Sequence, residues 1–570
     1  MIRLSPNNTA KRQKTGASTD APKCVSAHFF DKLLGAFLVC AVLFFVAWPM
    51  LCIIAKSLHP DGCIFSEYAV VWDKYRQSLC NSLFVGLFSA VLCTLVSLCC
   101  ALFLSSSKGW KRGVFLAVIL IALVSPPFVS SLSYIQLYGR RGWITHGLLG
   151  FSKSPYNKWG IIAMQTVSFA PVNIIMLRGL VDKIDRLSIT SARDLGASPA
   201  HILSDIVIPS LFPGIAVSLL LTFVRSCADF STPIIIGGRF QTLASDIYLQ
   251  IIGYSDLPKA SAMNMYLLVP SLAAFYFYRR WMRKADSMAS SKATTSGLGI
   301  PLRRCGALGV TALAVTVLYT VVMVLQYGCV ILSGFLKSSK GHYSFTLKYF
   351  NKLLELNGKT MLRSVEYALI IAIFGSIFAI LFAYYMDRRN IPGKGIIDAI
   401  ATTPYMIPGT CFGLGYILAF NHAPVKLTGT AIIVLANMLF KQLPTTTKLC
   451  SAALSKIPRE PELAVSDLGG SRLDAVRDVI IPNMRSAFLS CFIYNFSSSM
   501  TTAGAILFLI SARRKLAVFE LFEAVYTGEY AMASMIATFI IVIVLAVEGI
   551  AFSVLRKAGG TDVSGIEWNI

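Results

Sequence analysis

Charged residues are scarce in this chain of 570 residues: Asp, Glu, Lys and Arg make up only 14% of it, whereas 55% is hydrophobic. A soluble protein of this length usually carries charge on about a quarter of its residues. So few charges cannot cover a water-exposed surface, which excludes an ordinary soluble globular class. We therefore predict that lipid surrounds most of the chain, in keeping with a mean hydropathy of +0.66.

Acidic residues are scarcer than basic ones, with 28 Asp and Glu against 52 Lys and Arg and a formal net charge of +24. In a membrane protein a basic excess sets the topology and attracts anionic lipid. The basic residues here are scattered between apolar runs and form no stripe interleaved with aromatic residues. We therefore expect the lipid bilayer as a partner, and no nucleic acid.

Motifs for metal, redox or nucleotide chemistry are missing as well. The 14 cysteines form no CxxC pair or Cys/His cluster and the six histidines are scattered, so we predict no metal site and no cofactor in this chain. Asn357 to Thr360 approach a phosphate-binding loop, but Leu353 replaces its first glycine. We expect neither catalytic residues nor ATP hydrolysis by this chain. Cys63 and Cys80 share a predicted external loop and could pair.

Long apolar runs are what the sequence has in abundance. About 20 apolar residues cross the hydrocarbon core of a bilayer, and twelve such runs can be drawn, six in each half. We therefore predict an all-α polytopic membrane protein with about 12 transmembrane helices. The predicted spans are 33–54, 81–104, 114–137, 160–177, 211–228, 263–279, 306–332, 362–385, 396–420, 429–443, 487–510 and 532–555.

Basic segments orient these helices, since loops rich in Lys and Arg stay in the cytoplasm. The loop 109–113 and the linker between the two halves (283–304) are basic, which predicts that the N-terminus and the C-terminus are cytoplasmic. In this topology the loops around 140–158 and 337–359 lie outside the cell although they are basic too. The predicted divisions are a basic tail (1–28), a first helix with its external loop (29–76), a first unit (77–282), a basic linker (283–304), a seventh helix with its external loop (305–358), a second unit (359–557) and a C-terminal tail (558–570).

One polar stretch occurs twice. Residues 191–209 read SARDLGASPAHILSDIVIP and residues 464–482 read AVSDLGGSRLDAVRDVIIP, with seven identities in 19 positions at a constant offset of 273 residues. Each copy follows the fourth predicted span of its half, which places both on the cytoplasmic face. Because six spans return the chain to the same side, we predict two parallel six-helix repeats.

The residue types of this stretch predict a bent pair of helices. Gly196 can adopt a left-handed turn at little cost, Ser198 is suited to cap the helix that follows, and Pro209 is expected to end that helix. The second copy offers the same types at Gly469, Ser471 and Pro482. Such loops could lie on the membrane surface without any protein partner. Two copies on the same face of the membrane, however, suit a cytoplasmic partner with two-fold symmetry.

This spacing resembles the EAA loop of binding-protein-dependent ABC importer permeases: EAA, three residues, Gly, nine residues, Ile, one residue, Leu-Pro. The family's glutamate, which contacts the ATPase, falls on Thr190 and Leu463, with Glu462 one position earlier. Asp194 and Asp467 are the candidates to replace it. The ATPase-coupling residues that the resemblance implies are Asp194, Gly196, Ser198, Pro209, Asp467, Gly469, Ser471 and Pro482.

The resemblance covers about 77–280 and 359–556 and implies two fused permease units of the MetI-like permease fold, in a bacterial cytoplasmic (inner) membrane. Residues 226–253 resemble ferric-iron-type permeases, so ferric iron is the expected substrate, with thiamine, phosphonate or polyamine left open. The implied partners are a separate ABC ATPase, expected as a dimer that uses the ATP, and an extracytoplasmic substrate-binding protein. The residues that line the substrate pathway are not identified by the sequence.

An ion-coupled secondary transporter is the alternative from another class. Such carriers usually hold ionisable groups in mid-membrane, and pairing or snorkelling at helix ends accounts for most of the candidates here. A membrane enzyme is disfavoured, because the Lys, Ser and His residues of 334–344 have no acidic partner nearby. The ionisable candidates are Arg225, Asp229, Glu366, Asp398 and Glu548.

Overall fold

The structure is a computed structural model that describes residues 21–58, 65–150, 154–288, 305–339, 342–389, 391–423, 425–511 and 514–557. Helices dominate these residues, as the apolar runs predict. The helices of the first half are α1 (Ala21–Val42), α2 (Trp48–Leu58), α3 (Ser66–Ser106), α4 (Trp110–Val124), α5 (Phe128–Tyr138), α6 (Lys158–Val181), α7 (Arg186–Asp194), α8 (Pro199–Ile202), α9 (Ile208–Ala228), α10 (Ser231–Ile236), α11 (Leu243–Ile252) and α12 (Leu257–Met288).

The second half repeats this order of long and short helices. Its elements are α13 (Gly306–Gly334), β1 (Leu336–Ser339), β2 (His342–Phe345), α14 (Lys348–Lys352), α15 (Gly358–Arg388), α16 (Lys394–Met406), α17 (Gly409–Phe420), α18 (Ala431–Leu454), α19 (Glu460–Asp467), α20 (Arg472–Ala475), α21 (Ile481–Asn483), α22 (Arg485–Thr501), α23 (Ala517–Tyr526) and α24 (Tyr530–Lys557). Single π-helical turns occur at Leu43–Ala47, Trp143–Leu148, Leu203–Val207, Leu353–Asn357 and Val476–Ile480.

Nine of the predicted spans have counterparts that could cross a bilayer. Among the described residues, eight helices are long and apolar enough, and the bent pair Trp110–Val124 and Phe128–Leu148 makes up to nine. The pair turns through 110° at Pro126 and Pro127. Proline lacks a backbone N–H and clashes with the preceding turn, so two in succession break the helix.

The other three predicted spans are helical but shorter or more polar. Residues 396–420 form α16 and α17, which are separated at Pro408. Residues 429–443 overlap the start of α18, whose 24 residues include Lys441. Residues 487–510 overlap α22, which has 17 residues and ends at Thr501. Helices α16, α18 and α22 pack against neighbouring helices of the second half.

A short hairpin replaces part of a predicted loop. Strands β1 and β2 pair antiparallel with Leu336 opposite Phe345. The rings of Phe335 and Phe345 stack with their centroids 5.9 Å apart, which holds the two ends of the hairpin together. These side chains are ten positions apart and belong to no periodic pattern, so the sequence predicts only a loop here.

Some predicted features lie outside the described residues. They include most of the basic tail, most of the linker, the C-terminal tail and Cys63. Cys80 is described and exposed, and its pairing with Cys63 stays a prediction.

Two equivalent three-helix groups form the centre of the molecule. Helices α3, α6 and α9 pack on one another in the first half, as do α15, α18 and α22 in the second. A glycine allows the close crossing in each group: a Cβ on Gly86 would lie 2.9 Å from the Cys227 sulfur, and one on Gly375 would lie 3.1 Å from the Asn495 amide nitrogen. Small residues commonly permit such helix approach in membranes.

The first helix of each half packs against the unit of the other half. One core cluster joins Leu38, Val42 and Ile53 to residues of the second unit such as Tyr384. Helix α13 packs in turn on α3 and α5 of the first unit. The two halves are therefore interlocked, and neither unit has a complete core without a helix from the other half.

A buried carboxylate holds α1, the first helix of the first half, against the second unit. Asp31 of α1 is 4% exposed and accepts a hydrogen bond of 2.8 Å from the hydroxyl of Tyr385. Its carboxylate oxygens lie 3.6 Å from Arg389 and 3.8 Å from Arg472. The sequence around Asp31 gave no sign of this role, because all three partners lie more than 350 residues away.

We predict that Asp31→Asn lowers the free energy of unfolding by about 2 kcal/mol, because it leaves a partly buried guanidinium without its counter-charge. Denaturant titration of the purified chain in detergent, followed by tryptophan fluorescence, measures this. Asp478→Asn is the matched control, since Asp478 pairs with Arg477 at 3.8 Å while their side chains are 65% and 84% exposed. Exposed pairs contribute little, so equal effects of the two variants would contradict the assignment.

Candidate functional site

The repeated stretch forms the same structure in both halves. In the first repeat loop (178–210), α7 ends before Gly196, which has φ +83°. The hydroxyl of Ser198 accepts a hydrogen bond from the backbone N–H of His201 and caps α8, as predicted. Nothing lies within 4 Å of the position of a Cβ on Gly196, so backbone conformation alone, and not crowding, favours glycine there.

The second repeat loop (451–485) shows the same turn and cap. Gly469 has φ +81°, and the hydroxyl of Ser471 accepts from the backbone N–H of Asp474. The carboxylate of Asp474 accepts in return from the Ser471 backbone N–H at 2.7 Å and from its hydroxyl at 2.6 Å. These hydrogen bonds hold the pKa of Asp474 below its usual value. The cap is therefore reciprocal in the second loop.

The prediction that Pro209 ends the short helix was wrong. The chain from Pro199 to Ala228 is one continuous helical span, with a π-helical turn at Leu203–Val207 just before the proline. A π-helical turn changes the hydrogen-bond register, and Pro209 stands in the first turn of α9, where its missing N–H costs little. In the second loop, Pro482 likewise follows the π-helical turn Val476–Ile480.

Each repeat loop presents a strongly exposed leucine directly before its glycine turn. Leu195 and Leu468 stand at equivalent positions and are each 89% exposed, the highest value among the large hydrophobic side chains of the described residues. The preceding Asp194 and Asp467 are exposed too. An aspartate and a leucine beside a rigid glycine turn therefore form a small projecting contact surface in each half.

Glu462 does not take the place of the family's glutamate on that surface. Its carboxylate lies 3.6 Å from the guanidinium of Arg388, with 17% and 9% of the two side chains exposed. It also accepts a hydrogen bond of 3.4 Å from Tyr384. Arg388 donates further to the carbonyl of Leu454 at 2.9 Å. Glu462 thus anchors the second repeat loop to α15.

An apolar contact anchors the first repeat loop instead. Ile189 and Ile202 of that loop are 3% and 1% exposed and pack in one cluster with Leu102 of α3 and with Cys305, which precedes α13. The two repeat loops are therefore held against equivalent helices by different chemistry, apolar in the first half and ionic in the second.

A central cavity of about 370 Å³ lies between the two halves. Its wall includes both breaks in the predicted spans, at Pro127 and Phe128 and at Pro404 to Gly409, together with parts of α6, α9, α12, α18 and α22. A volume of this size is in the range of small-molecule sites. No pathway-lining residue was identified from the sequence.

Equivalent positions of the two halves meet in this cavity. Eight pairs of lining residues stand 273 positions apart, the offset of the repeated stretch itself, so the cavity lies where the two repeats face each other. The 273-residue offset of the repeated stretch is the sequence signal that relates these residues. The pairs are Ser168 and Lys441, Phe169 and Gln442, Leu221 and Tyr494, Arg225 and Ser498, Asp229 and Thr502, Phe230 and Ala503, Ser231 and Gly504, and Thr232 and Ala505.

Among the described residues, three charged side chains line the central cavity, and the equivalent position of the other half carries a hydroxyl in each case. They are Arg225, Asp229 and Lys441. Arg225 and Asp229 lie at the end of α9, as predicted, and both also line the cavity. Glu366, Asp398 and Glu548 do not line it.

The carboxylate of Asp229 is fully engaged within the protein. One oxygen accepts from the backbone N–H groups of Ser231 and Thr232, at 3.0 and 3.2 Å, and from the Ser231 hydroxyl at 2.7 Å. The other accepts from the side-chain amide of Gln165 at 3.0 Å. Asp229 thus satisfies the first two backbone N–H groups of α10 and lines one side of the cavity.

Gln165 ties this carboxylate to three helices. Its side-chain oxygen accepts from the hydroxyl of Ser89 on α3 at 2.9 Å and from the hydroxyl of Ser226 on α9. Gln165 itself is 1% exposed. A polar group in a lipid-surrounded interior must find its partners within the protein, and Gln165 meets this requirement with its acceptor and one donor.

Lys441 stabilises the break between α16 and α17. It is the eleventh of the 24 residues of α18, and its ammonium group donates to the carbonyls of Pro404 at 2.6 Å and Ile407 at 2.7 Å. The break frees these carbonyls from helical pairing. The charge also lies 5.6 Å from the ring centre of Phe412.

The central cavity has no constellation suited to a resident metal. Among the residues that the structure describes, no group of three or more His, Cys, Asp or Glu side chains could hold a metal ion.

Comparison with known proteins agrees with this architecture. The profile of the family described as "Binding-protein-dependent transport system inner membrane component" matches twice, over residues 94–330, which extend into α13, and over residues 371–558. Both matches include one repeat loop and one wall of the central cavity.

Individual relatives align over most of the chain. The ferric transport system permease protein FbpB of Actinobacillus pleuropneumoniae is 28% identical over 534 residues, which are 90% of this chain and 77% of that protein. The putative ferric transport system permease protein FbpB 1 of Haemophilus influenzae is 30% identical over 85% of this chain and 79% of that protein. The probable ABC transporter permease protein y4fN of Sinorhizobium fredii is 24% identical over 78% and 81%.

We predict that Gln165→Leu destabilises the chain by about 1–3 kcal/mol, because Asp229 loses a donor and two buried hydroxyls lose their acceptor. Thermal unfolding in detergent, followed by size-exclusion chromatography, measures the change. Gln77→Leu is the control: Gln77 is exposed and donates only to Asn81, at 3.1 Å. A Gln165→Leu chain as stable as the control would contradict the role given to this network.

Proposed function

Because the chain belongs to the family of binding-protein-dependent transport system inner membrane components, we propose that it is the fused permease subunit of an ATP-driven importer of ferric iron. The observation that carries the proposal is the central cavity, whose walls come from equivalent positions of two permease units. A pathway between two related halves can open to either side of the membrane as the halves rock against each other. The chain itself is a transport subunit and not an enzyme.

Ferric iron is the cargo that the relatives favour. Two proteins named as ferric transport permeases align with 85% and 90% of this chain. Both alignments include both units, so the likeness is not confined to one shared domain. In this proposal an extracytoplasmic binding protein delivers the iron, and the chain needs no resident cofactor.

The repeat loops are the proposed contact with a separate ATPase dimer in the cytoplasm. Their duplication matches two ATPase subunits, and each loop offers an exposed leucine next to an exposed aspartate. Apolar side chains that insert into a partner's pocket dominate many interfaces. Closure of the ATPase dimer on bound ATP would draw the two repeat loops together and rotate the two halves of the permease relative to each other.

This contact predicts that Leu195→Ser and Leu468→Ser uncouple transport while leaving the chain folded. Each leucine makes little contact within the chain, so its loss removes docking surface rather than core packing. ATPase co-purification should fall about tenfold in the double variant. Leu148→Ser is the control, because Leu148 is 78% exposed but lies outside both repeat loops. Undiminished co-purification of the double variant would remove the loops from the proposed interface.

Uptake of radioactive ferric iron tests the proposed cargo. We expect a deletion strain of the host to lose high-affinity uptake and to regain it with the wild-type gene. Uptake should stop when ATP is depleted and should survive collapse of the ion gradients. Normal ferric uptake in the deletion strain would overturn the assignment of iron, and sensitivity to the gradients alone would favour an ion-coupled secondary transporter.

A further inference from the structure

The fixed charges of the central cavity do not suit a bare trivalent cation. Arg225 and Lys441 contribute two positive charges and Asp229 one negative charge. A third cation, Lys448, lies 5.6 Å from the ring centre of Tyr405, which also lines the cavity. Charges in a low-dielectric interior interact strongly, so this positive balance repels Fe³⁺ and attracts anions.

Arg225 indicates most directly which kind of ligand the cavity binds. It lines the cavity, yet it has no hydrogen bond or ion pair with any of the described residues. Asp229 stands one helical turn further along but is engaged with Gln165, Ser231 and Thr232. An arginine inside a membrane protein is costly and is normally paired. A guanidinium that faces an open cavity without a partner is suited to an oxyanion, which it can bind through two parallel N–H groups.

Lys441 has one donor left for a ligand. Two carbonyls take two of its N–H groups, and an ammonium group has three. Its structural contact therefore fixes a charge in the middle of α18 and leaves one N–H for the cavity. Ser168 and Ser498, the neutral counterparts of Lys441 and Arg225, add hydroxyl groups to the same wall.

The side chains that line the cavity do not provide free ligands for a metal ion. The carboxylate of Asp229 is engaged by four hydrogen bonds, and no set of His, Cys, Asp or Glu side chains converges among the described residues. Hard cations are normally held by several free carboxylate oxygens. The cavity thus recognises the anionic part of its cargo rather than the metal.

We propose that the central cavity binds its cargo through oxyanion groups, with Arg225 and Lys441 as the recognising side chains. The inference rests on the proposed function for the identity of the metal: ferric iron would cross as a complex of net negative charge, with phosphate or carboxylate ligands. Removal of a positive charge then weakens transport, whereas for a bare cation the same change would strengthen it.

Direct binding tests the anion site without any assumption about iron. The purified full-length chain in lipid nanodiscs is titrated by calorimetry with orthophosphate, citrate and ferric citrate in turn. We expect at least one of them to bind, and Arg225→Gln to weaken that binding about tenfold or more through the loss of charge-assisted hydrogen bonds. Orthophosphate and citrate separate a phosphate-type from a carboxylate-type ligand.

Controls separate recognition from folding. Arg225→Lys keeps the charge and should retain part of the binding, and Lys111→Gln removes an exposed charge in the first turn of α4 and should change nothing. Lys441→Gln should also weaken binding. Because Lys441 also stabilises the break between α16 and α17, the thermal stability of this variant shows how much of the lost binding comes from a disturbed fold. Failure of the wild-type chain to bind any of the three probes, or equal binding by Arg225→Gln, would overturn the anion site.

The direction of change in ferric uptake provides the second test. In cells that contain equal amounts of the chain in the membrane, Arg225→Gln should lower ferric uptake about tenfold. Faster uptake by Arg225→Gln would mean that the positive charge is a barrier to a cation and would overturn the proposal. If the wild-type chain supports no ferric uptake, the iron assignment fails, and the calorimetry still decides whether the cavity binds oxyanions.

Discussion

The structure depends on one constraint: lipid offers no hydrogen bonds, so a polar group in the spans is costly unless another part of the protein satisfies it. At the junction of the two repeats, several polar side chains find their partners in neighbouring helices. Gln165 joins three helices and the carboxylate of Asp229 in this way, and Lys441 satisfies two carbonyls that a helix break leaves free. The central cavity follows from the same requirement, because the polar faces of both halves meet there.

The two halves share one architecture but carry different side chains at equivalent positions. At three positions of the cavity one half carries a charge and the other a hydroxyl. The repeat loops differ in the same manner: Ile189 anchors the first through an apolar cluster, and Glu462 anchors the second through Arg388. Two identical subunits could place such charges only in symmetric pairs. A fused chain can instead set the charge on each side of the pathway separately.

The sequence predicted what local chemistry and repetition determine. The turns at Gly196 and Gly469 and the serine caps depend on neighbouring residues alone, and nine spans follow from apolar length. The packing of the first helix on the opposite unit was not predictable, since Asp31 meets Arg389 and Arg472 across more than 350 residues. Pro209 was misjudged because the π-helical turn before it leaves no compositional signal. The charges of the cavity were visible in the sequence, but not their convergence.

The central claim is that the cavity between the repeats is the transport pathway, and thiol accessibility tests it most directly. Ser498→Cys places a thiol on the cavity wall, and Leu369→Cys places one on an exposed apolar face of α15. Both are made in a chain in which the exposed Cys40 and Cys80, and Cys63 of the predicted external loop, are changed to Ser. A charged, membrane-impermeant thiol reagent should modify only Ser498→Cys, at a rate that changes with ATP, and should block uptake. Modification of neither thiol, or of Ser498→Cys without loss of uptake, would contradict the account.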